Sequence, residues 1–488
     1  MNTHWTNYPR LCKASFLGFF AVMALSACST NPATGKSQFT GLMSPGQETQ
    51  VGASEHEKVD RQFGFYNDPG LTAYVNEIGA KVTKETERTD IQYKFHIIDS
   101  PIVNAFALPG GYIYVSRGLL ALANDEAELA GVMAHETGHI TARHSAERYS
   151  HGVVTSLGAA VLGATIGSNG VSQALGVGSN LYLSSYSRGQ ENEADTLGLR
   201  YMTRGGYDPA AMSEFLKSLQ GDSALESRLQ GGDDGDSVSY FSTHPATAER
   251  VAGTAAQAAQ FPQGGTINHD RHLAAIDGMT YGDSDKQGFV RGQSFFHPGI
   301  GFTFSVPDGF TIQNQPGQVV AVSRGGAAII FDLAAVGGDP MQYLTQSWMK
   351  GEPVEAPENI SVNGMPGATA SFAGNLNGKP VSIRLVAIRW GNKMARFQIA
   401  IPQGVSSELV SALKSSTHSF RPLNDAERVD LKPYRVRIVT AGQGDSVSTL
   451  AARLPFPDLK EDRFRVLNGL APGQGVKAGH KYKIISEN

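Results

Sequence analysis

The stretch GVMAHETGHI, residues 131–140, constrains this chain more than any other. It sets His135, Glu136 and His139 in an apolar run, within a longer segment, ANDEAELAGVMAHETGHITARHSAER, that is rich in helix formers and free of proline. Residues four apart lie one turn apart on the same helix face, so both imidazoles can approach one ion. Glu136 stands about 100° round the helix beside them. An amphipathic helix with two incidental histidines is the bland alternative. The H-E-x-x-H spacing on a helix points instead to zinc, with the glutamate as general base.

A catalytic zinc takes three protein ligands and keeps a position open for water. One arrangement uses a histidine six residues after the second, following a glycine, but those positions hold Ser145 and Ala142. His144 lies one position short and about 140° away round the helix, which assigns it to ordinary helix surface. That leaves a carboxylate from another helix. SRGQENEADTLGLRYMTRGGYDP reads as one, with Ser187 as cap and Gly205-Gly206 as its end. At about 100° per residue, Glu191, Ala194, Asp195, Gly198 and Met202 share a face, with Glu193 and Arg200 opposite. Glu191 and Asp195 therefore lie on the inward stripe, where a carboxylate needs a partner or a metal. Glu193 reads as a solvated surface charge.

The chain around this motif is long, at 488 residues, so several domains are expected. Its 41% hydrophobic and 18% charged residues describe ordered globular protein, and a net charge of −4 gives no support for nucleic-acid binding. MNTHWTNYPRLCK, then ASFLGFFAVMAL, has the charged start and short apolar run of a secretory signal over residues 1–27. Leu25-Ser26-Ala27-Cys28 looks like a lipobox, which makes Cys28 the lipidated first residue of the mature chain. The only other cysteine, Cys12, lies in the signal, so no internal disulfide is expected. Ser29, where inner-membrane retention signals usually carry Asp, places the anchor in the outer membrane, facing the bacterial periplasm.

Turn formers make residues 28–50 a lipidated N-terminus and tether, and 51–262 is mainly helical. Helices are predicted at 72–86 and at 124–149, capped by Asn124 or Asp125, with the strands IQYKFHIID and GGYIYVS between them. A polar stretch runs over 221–239, and 263–288 reads as a linker. Residues 289–422 form an α+β sheet domain that resembles small PsbP/Mog-type domains. The tail, 434–486, resembles a LysM module of βααβ order, with PFPDLKEDR inserted between its helices. Residues 152–187 carry no charged side chain, but Ser, Asn and Gly interrupt them, which favours an amphipathic lid over a membrane span.

HETGH followed about fifty residues later by ENEAD resembles the zinc metallopeptidases of the HtpX and CAAX-prenyl-protease type. NPATGK after Cys28, NAFALPGGYIYVSRGLL before the zinc helix and STHPATAER after it are similar to a periplasmic lipoprotein branch, related to the outer-membrane assembly-enhancing protease. This resemblance covers residues 28 to about 260. It implies a mainly α zincin-type (α+β) peptidase domain with His135, His139 and Glu191 as ligands of one Zn2+ per chain. Glu136 then takes the proton from the attacking water. Asp195 orients a ligand histidine, His244 approaches the metal or steadies the transition state, and Arg250 assists there. GGYIYVS is expected to offer its edge to an extended peptide. The implied function is endopeptidase action on misfolded or stalled envelope proteins, with peptidoglycan as a further partner of the C-terminal module. A non-catalytic periplasmic chaperone or peptidoglycan-associated adaptor is the alternative.

Overall fold

The computed structural model describes residues 28–153, 185–230, 244, 248–315, 317–376 and 379–487. The leader at 1–27, the side chain of Cys28 and nearly all of the lid read at 152–187 lie outside the described residues.

The chain begins with a hairpin, β1 (Cys28–Thr30) and β2 (Ser37–Phe39), and enters helix α1 (Pro45–Phe63), where Ser44 and Gln47 cap each other's backbone. The turn formers of 28–50 therefore build a packed hairpin and a helix start rather than a loose tether. Met43 is buried, and so is Asn31, whose side chain accepts the amides of Ala33 and Thr34.

Helix α2 (Pro69–Thr83) sends Leu71, Val75, Ile78 and Val82 into the core at helical spacing. A three-stranded sheet follows, from β3 (Lys94–Ile98), β4 (Ala105–Leu108) and β5 (Tyr112–Ser116), in the order β3-β5-β4. The turn between β4 and β5 needs its glycines, since Gly110 and Gly111 take φ of 78° and 97°. Because β5 pairs parallel with β3 and antiparallel with β4, it has no edge to offer a peptide. The outer strand on that side is β4, which packs beside the next long helix.

After α3 (Arg117–Leu122), Asp125 caps α4 (Glu126–Thr141), and all of α4 is buried. The single helix expected to reach residue 149 does not form: Arg143 takes a φ of 58°, and a new helical stretch covers 144–153. Helix α5 (Arg188–Arg204) starts at Ser187 and ends at Gly205, as its sequence indicates. It crosses α4 at close range. A methyl at Gly138 would meet the Ala194 carbonyl oxygen at 2.9 Å, and one at Gly198 would meet His135 Cα at 3.1 Å.

Helices α6 (Ala210–Gln230) and α7 (Ala248–Ala258) complete this layer, and α6 takes in the first half of the polar stretch. The span read as a linker instead holds α8 (His269–Ile276) and β6 (Thr280–Tyr281), with His272, Leu273 and Ile276 buried. Residues 289–422 form a seven-stranded antiparallel sheet and a four-stranded sheet around their own core, with a helix at Ser407–His418. The tail has the order strand Tyr434–Thr440, helices Val447–Ala451 and Lys460–Leu467, and strand Lys481–Ser486. It is not a detached unit. Its first strand pairs with β6, and Val436, Leu450, Phe464 and Ile485 join the same core as Leu119 and Met133.

Candidate metal centre

The centre lies where α4 and α5 cross. His135 and His139 project from one face of α4, and their Nε2 atoms are 3.0 Å apart. Glu191, in the first turn of α5, brings Oε1 to 3.4 Å from His139 Nε2 and Oε2 to 3.6 Å from His135 Nε2. The close crossing at Gly138 and Gly198 is what lets one carboxylate reach both imidazoles. His244 completes the group, with Nδ1 3.3 Å from His135 Nε2 and 2.9 Å from Glu191 Oε1.

One donor atom from each of these four residues lies within 4.8 Å of the others, and all four residues are buried. Bonds of about 2.0–2.1 Å to a tetrahedral ion put neighbouring donors roughly 3.3 Å apart. The observed separations of 2.9–3.6 Å bracket that spacing. Three imidazole nitrogens and a carboxylate oxygen are also a donor set that zinc favours. The residues present therefore fit a zinc ion.

Around this group, Asp195 Oδ1 lies 2.8 Å from His135 Nδ1, one turn along α5 from Glu191. Arg250, from α7, donates Nε and Nη2 to the two Asp195 oxygens at 2.7 Å each, and its Nη1 lies 2.5 Å from Glu191 Oε2. The electrostatics follow from burial. Burial works to raise the Asp195 carboxyl, but Arg250 and His135 outweigh it and bring it to about 2. Glu191 likewise sits well below the usual carboxylate range, because His244 and His139 more than offset its burial. Burial pushes His139 well below the ordinary histidine value, so its imidazole is neutral, as a ligand must be.

Glu136 is different. It is fully buried, neither carboxylate oxygen accepts a hydrogen bond from the described residues, and His244 Nε2 is 3.5 Å from Oε1. Burial pushes its carboxyl up. That is the environment of a carboxylate suited to taking and returning a proton.

Two residues beyond the expected set, His144 and Tyr186, touch the centre, and Glu193 reaches it through His144. His144, read as helix surface, is fully buried with Nδ1 2.8 Å from His139 Nδ1. Glu193, read as a solvated charge, has Oε2 3.1 Å from His144 Nε2, and His144 brings its carboxyl down to about 2. Both readings assumed an unbroken helix and a bare outer face on α5. Arg143 breaks the helix, and the N-terminal hairpin covers the face, with Lys36 at 3.3 Å from Glu193 and Arg200 donating to the Ala33 carbonyl. Tyr186 stacks on His139 with ring centroids 3.7 Å apart. No periodicity marks Tyr186, since it precedes the α5 cap.

Residues 69–257 match the family model described as Peptidase family M48. The beta-barrel assembly-enhancing protease of Escherichia coli (strain K12) is 30% identical over 251 residues, 50% of this chain and 50% of that protein. The mitochondrial metalloendopeptidase OMA1 of Schizosaccharomyces pombe (strain 972 / ATCC 24843) is 31% identical over 207 residues, 42% of this chain and 59% of that protein. The chain thus spans about half the length of the curated relatives it matches. Among solved structures, cyanobacterial PsbP (CyanoP) from Synechocystis sp. PCC 6803 aligns over 29% of this chain and 98% of its own, at 12% identity and a TM-score of 0.22, too low to assign a fold. The segment that the model of Peptidase family M48 matches, residues 69–257, is the one that carries the candidate metal centre.

Proposed function

We propose that residues 51–262 form a zinc-dependent endopeptidase of the bacterial cell envelope, acting on misfolded or stalled envelope proteins. The observation that carries this reading is the convergence of His135, His139 and Glu191 on one point, beside a buried Glu136 that accepts no hydrogen bond from the described residues. When bound, zinc lowers the pKa of its water to about 7 and polarises the scissile carbonyl.

This chain's residues supply the rest. Glu136 takes a proton from the attacking water and delivers it to the leaving amine, a role favoured by its raised affinity for protons. Asp195 fixes the His135 ring so that Nε2 faces the ion, and Arg250 holds Asp195 and Glu191 in place. His244 Nδ1, 3.3 Å from His135 Nε2 and 2.9 Å from Glu191 Oε1, would be a fourth protein donor to a bound zinc, and a catalytic zinc would need it withdrawn to admit water. In the position it occupies, its Nε2 lies 3.5 Å from Glu136 Oε1, placed to steady charge there. An extended peptide pairs with β4, the sheet edge beside α4, rather than with β5.

The finer assignments follow the same reading. Residues 1–27 act as signal, and Cys28 carries the lipid that holds the protein to the inner leaflet of the outer membrane. Among the described residues, no helix is long and apolar enough to cross a membrane. The name of the Escherichia coli relative, a beta-barrel assembly-enhancing protease, supports an envelope substrate. The βααβ tail acts as a LysM-like module toward peptidoglycan.

Casein cleavage by the mature chain, read beside its zinc content, tests the proposal. The wild type is expected to cut casein with one zinc per chain. Glu136→Gln should keep the zinc and lose at least about 100-fold in rate, the scale of general base catalysis. Equal cleavage by both proteins would remove Glu136 from the mechanism.

A further inference from the structure

Resting on that catalytic reading, we propose that His144 and Glu193 are positioning residues for the ligand His139, and that residues 36–48, from the turn of the N-terminal hairpin into the start of α1, hold them in place. The metal's grip on the chain then depends on the segment that follows Cys28.

The argument starts from the backbone. His139 and His144 are five residues apart, so on a continuous helix their side chains would diverge by about 140°. Instead α4 stops at Thr141, and Arg143 takes a φ of 58°, a region uncommon for any residue but glycine. The reversal swings the buried His144 back under His139, with their Nδ1 atoms 2.8 Å apart. Such a conformation persists only when its surroundings enforce it. Here they do, and all from one segment: Arg143 donates Nε to Glu48 at 2.8 Å, Nη2 to the Met43 carbonyl at 2.6 Å and Nη1 to Thr40 at 3.3 Å.

The protons then follow from the metal. With His139 Nε2 facing the ion, its hydrogen is on Nδ1 and is donated to His144 Nδ1. His144 therefore carries its own hydrogen on Nε2 and donates it to Glu193 Oε2 at 3.1 Å. The far oxygen of Glu193 lies 3.3 Å from Lys36 Nζ, in the turn of the hairpin that leads into that segment. Both ends of the relay thus rest on residues 36–48. The other ligand histidine has a simpler support, since His135 meets Asp195 directly. Ligand histidines need such partners to fix their tautomer, and losing one typically costs about 10–100-fold in metal affinity.

The test uses the full mature chain as wild type, His144→Phe, Glu193→Gln and Arg143→Gly, the last keeping the backbone reversal while removing its anchor. Zinc transfer to an excess of chromogenic chelator, the visible spectrum of the cobalt-substituted protein, and the melting temperature of the metal-free chain are measured. The expected result is a fall of about 10–100-fold in zinc affinity and altered cobalt bands in His144→Phe and Glu193→Gln, with metal-free melting close to wild type in the isosteric Glu193→Gln. Arg143→Gly is expected to fall between them and wild type. Wild-type affinity and cobalt bands in Glu193→Gln, together with wild-type behaviour in any folded His144→Phe, would overturn this inference alone. A wild-type chain that holds no zinc would overturn the catalytic reading and this inference with it.

Discussion

Asp195 illustrates how much a single side chain does at this centre. Its two oxygens serve His135 and the guanidinium of Arg250, so one carboxylate ties α4, α5 and α7 together at the candidate metal site. Asp195→Asn keeps the shape but removes the charge and one acceptor. It is expected to weaken zinc binding by roughly 10–100-fold, measured by competition with a chelator, and an unchanged affinity would contradict the role given to it. At this scale the sequence was legible wherever helical spacing alone decides direction. His135, Glu136 and His139 follow from a four-residue repeat, and Glu191 and Asp195 from the inward stripe of α5. His144 and Glu193 were not legible. Their neighbours Ala142 and Arg143 give no glycine or proline to mark a helix break, and the cover on α5 comes from residues more than 150 positions away.

The elements that matter most are α4 and α5, and their separation is set by two glycines. Gly198 faces the backbone of His135, with N and Cα both 3.1 Å from where a methyl would sit. Backbone cannot turn aside as a flexible side chain can, so a larger residue must push the helices apart. Gly198→Val is expected to cost about 1–3 kcal/mol of stability by overpacking and to weaken zinc binding, because Glu191 retreats from the histidines. Chemical denaturation and zinc titration of the same variant read the two effects, and zinc affinity equal to wild type would show that the crossing distance does not set the site. Caps and ends of these helices were readable from Asp125, Ser187 and Gly205. The N-terminal hairpin and α8 were not, because turn formers such as Asn31 and Pro32 look alike in a tether and in a tight hairpin. Only burial against distant residues separates the two.

At the scale of the whole molecule, the C-terminal βααβ unit shares its core with the body that carries the candidate metal centre. Lys483, on its last strand, is 1% exposed and donates to the carbonyls of Ala121, Leu122 and Ala123 at 2.8, 3.1 and 2.7 Å. These carbonyls lie at the C-terminal end of α3, where helix oxygens lack partners and favour a cation. Burial brings the Lys483 ammonium down to about 7 against the pull of Glu128 and Asp125. Lys483→Met removes the ammonium from all three carbonyls, leaving His272 Nε2 at 3.0 Å from the Ala123 oxygen, and is expected to cost about 1–3 kcal/mol, the penalty for leaving a buried acceptor unmatched. Calorimetry should find the peptidase and C-terminal units melting in one transition that moves down in this variant. Separate transitions for these two units, apart from that of the sheet domain with its own core, would contradict the shared core. Strand and helix order in the tail was legible from its pattern, but docking was not, since one buried lysine among exposed ones carries no local signature.

The central claim is that His135, His139 and Glu191 hold a zinc ion beside Glu136. The most direct measurement is anomalous scattering at the zinc absorption edge from crystals of the zinc-loaded full chain. The account predicts a single strong peak about 2.0–2.2 Å from His135 Nε2, His139 Nε2 and a Glu191 oxygen, with Glu136 outside bonding distance. A zinc-loaded crystal with no peak between α4 and α5, or with its peak on other side chains, would contradict it.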